Sequence, residues 1–140
     1  MKRKRNAAIA LVVVSVCVLA QATASVWDGI YSAEQAKRGE ALYANECASC
    51  HGTMLEGRGQ APALSGAEFI ANWNGMTVGD LFEKMQSSMP ADQPGRLSGD
   101  QNATILAFIL SRNKFPAASA DLPSDPERLR QIRFEAAGPK

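Results

Sequence analysis

Two thiols and the chain's one histidine stand within five residues, Cys47-Ala48-Ser49-Cys50-His51, and that grouping limits the fold more than any other feature. In a Cys-x-x-Cys-His pattern the two thiols lie three positions apart on one helical face, where each can add across one vinyl group of a porphyrin. The next residue then sets its imidazole over the iron as the proximal ligand. Five consecutive residues thereby fix a haem by two thioethers and one coordination bond. Rival chemistries fit the pattern less well. A zinc site needs two more Cys or His ligands, but the third cysteine, Cys17, lies in an N-terminal apolar run and there is no second histidine. A redox dithiol of the thioredoxin kind opens a helix after a strand; here the apolar spacing before Cys47 is helical and strand-like alternation is nearly absent.

The N-terminal residues predict export from the cytoplasm. Lys2, Arg3, Lys4 and Arg5 precede an apolar run from Ala7 to Ala20, and Ala22-Thr23-Ala24 offers small residues for cleavage before Ser25. This is the layout of a secretory signal over residues 1–24, and the run falls short of the roughly 20 residues that span a bilayer. Contact with a membrane is expected only if the segment is retained, and the mature protein is expected in the periplasm. Cys17 is expected to be lost with the signal. The formal charge of +1 on 140 residues gives no reason to expect nucleic acid as a partner. Cleavage removes four of the fifteen Lys and Arg and none of the fourteen Asp and Glu, which leaves a mildly acidic chain. An exported chain with two neighbouring cysteines has no disulfide framework, so the haem must supply what the core lacks.

The remainder reads as one all-α domain over residues 25–116, followed by a tail over 117–140. Ser32-x-x-Gln35, Ser65-x-x-Glu68, Thr77-x-x-Asp80 and Ser98-x-x-Gln101 each match a capping box at a helix start. The first helix carries Ala36, Gly39, Leu42 and Tyr43 to about Glu46. The third places Val78, Leu81, Phe82 and Met85 along one stripe, and the last core helix holds Ile105 to Leu110 before Asn113 and Pro116. Residues 51–64 and 86–97 form long connections, of a length that is usually functional. A short helix is expected over Asp125–Phe134, in a tail that packs on the domain or on a partner.

With one histidine, the sixth iron ligand must be a methionine or nothing. Met54 sits three residues past His51, and a tether of about 10 Å cannot round the porphyrin edge. Met85 completes a buried stripe, and Met76 lies in a Gly-rich turn with nothing in its favour. Met89 follows the end of the third helix and precedes Pro90, which biases it toward extended backbone. It is the expected distal ligand, giving a His51/Met89 iron of the kind suited to electron transfer. A proximal histidine needs an acceptor for its other ring N–H, and the loop stiffened by Pro62 is a good place to hold one. Trp73 and Arg58 are candidate donors to the haem propionates, with packing or surface exposure an equal alternative for each.

These stretches resemble class I cytochromes c, in particular the monohaem cytochrome subunits and domains of bacterial quinoprotein alcohol, aldehyde and sugar dehydrogenases. The resemblance runs over about residues 33–116 and is carried by Gly39-Glu40-Ala41-Leu42-Tyr43, the Cys47–His51 motif, Ala61-Pro62-Ala63-Leu64, Trp73, Thr77 to Phe82, Met89-Pro90, Pro94 to Ser98, and Ile105 to Leu110 with Asn113. It implies a class I cytochrome c fold in which the first and last helices cross near Gly39 and Tyr43 against Ile105 and Phe108. It also implies that the Pro62 carbonyl orients His51. The expected function is that of a one-electron carrier rather than an enzyme, holding one haem c and taking electrons from a dehydrogenase toward a terminal oxidase of the respiratory chain. The alternatives are a subunit docked in a quinoprotein dehydrogenase, with the tail as its contact, and a haem peroxidase or sensor with an open sixth position.

Overall fold

The computed structural model describes residues 24–140. Apart from Ala24, the expected signal segment lies outside the described residues. Six helices follow in order among them: α1 (Ala33–Glu46), α2 (Ala48–His51), α3 (Ala67–Trp73), α4 (Val78–Ser88), α5 (Gly99–Arg112) and α6 (Pro126–Leu129).

The main helix pair is α1 with α5, and Gly39 makes their approach possible. A Cβ at this position would overlap the Thr104 carbonyl oxygen and Phe108 Cβ, so any larger residue would push the two helices apart. One turn on, the Tyr43 and Phe108 rings meet at a centroid distance of 5.2 Å. The crossing expected from the resemblance is therefore present. Ile105, Leu106, Ile109 and Leu110 of α5 are all buried and join Val78, Leu81 and Phe82 of α4 in one core.

The helix starts agree only in part with the capping pattern. Thr77 with Asp80 and Ser98 with Gln101 form complete, reciprocal capping boxes. Ser32 accepts from the Gln35 N–H, but the Gln35 side chain does not return the bond. Its amide instead donates to the Leu122 carbonyl at 2.9 Å, and its oxygen accepts from the Leu122 N–H at 2.7 Å. A buried carboxamide satisfied on both ends by the backbone of one residue is a better arrangement than an exposed cap. Ser65 caps nothing: α3 starts after Gly66, whose N–H donates to Asn113 Oδ1.

The tail departs furthest from expectation. Its helix is the single turn α6, and the chain then enters a two-residue strand, β2 (Ile132–Arg133), parallel to β1 (Ala24–Ser25). Leu122, Leu129, Ile132 and Phe134 are buried in the common core. Phe134 stands edge-on to Phe115 at 5.2 Å and to Phe69 at 6.0 Å, and Phe115 meets Trp27 at 4.8 Å. The residues after Pro116 thus hold α3, the segment that follows α5 and the stretch from Ala24 together. Replacing the fully buried Phe134 with Ala should cost about 3–5 kcal/mol in chemical denaturation; a loss below about 1 kcal/mol would show the tail to be peripheral.

Candidate functional site

The site is built where α1 stops. Cys47 is both the last cap of α1 and the first of α2, with φ −126° and ψ −36°. That break turns the next residues into a separate helical turn carrying Cys50 and His51. The His51 N–H donates to the Cys47 carbonyl at 2.9 Å and the Gly52 N–H to that of Ala48 at 2.9 Å. Gly52 has φ +84°, a left-handed conformation that lets the chain leave the turn sharply. The buried Tyr43 hydroxyl donates to the Gly52 carbonyl at 2.7 Å, tying the motif's exit to α1. Burial pushes the Tyr43 hydroxyl up to about 12, so it remains a donor throughout the physiological range.

Both thiols are free, with Cys47 half-buried and Cys50 exposed. Burial, with the Glu46 charge adding to it and Arg96 opposing it, pushes the Cys47 thiol up to about 11.

His51 is buried, and its Nδ1 lies 2.8 Å from the Pro62 carbonyl oxygen. A carbonyl can only accept, so Nδ1 carries a proton, and in the neutral tautomer this contact selects, the Nε2 lone pair is left for a metal. The loop that brings Pro62 there is itself fixed. The Gly57 N–H donates to the His51 carbonyl at 2.8 Å, Arg58 and Ala61 bond each other's backbone, and the Leu64 N–H donates to the Leu55 carbonyl at 2.9 Å. Gly57 has φ +77°, and a Cβ there would crowd Ala61 and Ala63. Asn113, the cap of α5, closes the far end by donating to the Leu64 carbonyl at 3.0 Å while its oxygen accepts from Gly66.

The methionines separate clearly. Met54 and Met76 are exposed, at 63% and 42%, and Met85 packs against the core. Met89 is half-buried yet is not among the residues packed on that core. It caps α4 in an extended conformation, φ −122° and ψ 150°, ahead of a cis peptide to the buried Pro90. A half-sheltered thioether with no place in the apolar core suits a ligand to a group seated beside it.

The candidate propionate donors differ from each other. Trp73, the last residue of α3, is half-buried, and no protein group accepts its indole N–H among the described hydrogen bonds. Arg58 is exposed and faces Glu56 at 3.5 Å. Residue patterning gave no sign of Tyr43, Gly57 and Asn113 as supports of the proximal loop. Among the described residues no cluster of three or more His, Cys, Asp or Glu could hold a metal. A single neutral imidazole, two thiols and a stray thioether are instead the donor set of a metal brought in by a porphyrin, and the residues fit that group.

The family model described as "Cytochrome C oxidase, cbb3-type, subunit III" matches residues 34–109, more than half of the chain. No curated protein matches the sequence. Among solved structures, the chain is similar to one from the sulfane dehydrogenase SoxCD of Paracoccus pantotrophus, with 27% identity, a TM-score of 0.50 and 74% of this chain covered. It spans 53% of that chain's length.

Proposed function

The chain belongs to the cbb3-type cytochrome c oxidase subunit III family and is a monohaem electron-transfer cytochrome; from that premise we propose that it is an exported carrier whose single haem c is bound through Cys47 and Cys50 and ligated by His51 and Met89. The bound group supplies an iron that cycles between Fe(II) and Fe(III), moving one electron at a time. The observation that carries the reading is the 2.8 Å contact from His51 Nδ1 to the Pro62 carbonyl, on the same turn as Cys50 and next to Cys47. It fixes the tautomer, aims Nε2 and raises its basicity as a ligand. Met89, at the C-terminal cap of α4, would be the second protein ligand, and a His/Met set favours a raised potential. With His51 and Met89 both given to the metal, the chain would leave no place there for a substrate, which speaks against a peroxidase or gas sensor.

Location in the periplasm is proposed from Lys2 to Arg5 and the apolar run after them. Among the described residues no helix is long and apolar enough to cross a membrane. The proposed donor is a dehydrogenase and the proposed acceptor a component of the respiratory chain leading to a terminal oxidase. The SoxCD likeness favours a second reading, a cytochrome subunit bound to a dehydrogenase. The apolar side chains of the tail do not serve as its contact, because Leu122, Leu129 and Phe134 are spent inside the fold. A potentiometric titration followed by absorbance should give one reversible wave of single-electron slope; a two-electron wave, or turnover of peroxide at a catalytic rate, would overturn the carrier reading.

A further inference from the structure

The loop that carries Met89 is thinly attached to the rest of the fold. Pro90 and Leu97 are buried at its two ends, while residues 91–96 between them are exposed. Inside the loop, the Gln93 N–H donates to the Pro90 carbonyl at 2.9 Å, and the Gly95 N–H reaches the Met89 carbonyl at 3.4 Å. Gly95, at φ +78°, turns the chain back toward the Met89 carbonyl, and Arg96 follows it in sequence. Among the described hydrogen bonds, Arg96 makes the one bond from residues 91–96 to a group outside the loop. Its guanidinium pairs with Glu46, the last residue of α1 and the neighbour of Cys47. The Glu46 side chain is only 17% exposed and that of Arg96 37%, so the pair is sheltered more than a typical surface ion pair. The contact therefore joins the segment holding the proposed distal ligand to the segment holding the first attachment thiol, fifty positions away in sequence.

We propose that Glu46 and Arg96 are a positioning pair that clasps the Met89 loop to the haem-attachment turn and thereby holds the sixth ligand in place. This rests on the reading of Met89 as that ligand. A thioether is a weak donor to iron, and a loop with few buried contacts opens locally at low cost. A bond across the two segments opposes that opening without touching the metal.

The test is the rate at which the reduced holoprotein binds carbon monoxide, which must wait for Met89 to leave, read alongside the near-infrared methionine-to-iron band and global stability in denaturant. Arg96→Gln and Glu46→Gln should each bind carbon monoxide about three- to tenfold faster than the parent protein, the effect of losing a partly sheltered ion pair. They should also lose the near-infrared band at a lower temperature, while the denaturant midpoint moves little. Arg96→Lys, which keeps the charge, should restore most of the slow rate. Added sodium chloride should speed binding in the parent protein and not in Arg96→Gln, because screening acts on the pair; that arm needs no variant to accumulate. Parent-like rates in both Gln variants, with Met89→Ala fast, would overturn the clasp and leave the ligation standing. A parent protein as fast as Met89→Ala would overturn the ligation and the clasp with it.

Discussion

Replacing Met89 with Ala is expected to abolish the near-infrared charge-transfer band of the oxidised protein, lower the reduction potential and let the reduced protein bind carbon monoxide at once. The loss should be complete, because the other methionines are badly placed to substitute. Met54 is tethered on the proximal side and, like Met76, is exposed; Met85 is committed to the core. Met85→Ala supplies the contrast. That side chain is only partly buried, so its removal should cost about 2 kcal/mol or less in denaturant and leave the band intact. A band that survives Met89→Ala and vanishes with Met85→Ala would transfer the ligand role from the loop to the helix.

The second large effect concerns attachment. The double variant Cys47→Ser with Cys50→Ser is expected to yield a chain from which acidified organic solvent removes all haem, whereas the parent chain keeps it through denaturation. The two thiols differ in setting, Cys47 half-buried with its thiol held up near 11 and Cys50 exposed. Cys50→Ser alone should leave one thioether and a shifted absorption band. The double variant should also accumulate poorly in the exported compartment, because residues 52–66 are arranged round His51 and few of them enter the apolar core. Haem that resists extraction from the double variant would refute attachment at this motif.

What residue spacing reveals of this fold is what is local. The Cys-x-x-Cys-His turn, the stripe of α4 and the reciprocal caps at Thr77 and Ser98 are all written within a few positions, and the structure has each of them. Gly39 marks the α1–α5 crossing because close approach of two backbones demands a residue without a side chain there. The Pro62 carbonyl, implied by resemblance to class I cytochromes c, receives the His51 N–H.

What spacing hides is contact between distant segments. Gln35 matches a capping box, yet the carboxamide serves Leu122, 87 positions on, since burial rewards the partner that satisfies both of its ends. Leu129 and Ile132 stand at helical spacing but Ile132 and Phe134 at strand spacing, so the sequence lets the tail pack on the domain without fixing where each side chain goes; Leu122, Leu129, Ile132 and Phe134 are buried one by one by a chain draped over other elements. The short parallel pairing of Ala24–Ser25 with Ile132–Arg133 is likewise too brief to leave a pattern. Glu46 and Arg96 each look like ordinary surface charges until the fold sets them together.

The most direct test of the account is the near-infrared absorption spectrum of the purified, oxidised protein at neutral pH, recorded before and after reduction under carbon monoxide. A His51/Met89 electron carrier gives a methionine-to-iron band when oxidised and resists carbon monoxide when reduced. A spectrum without that band, together with immediate carbon monoxide binding, would show an open sixth position and contradict the account.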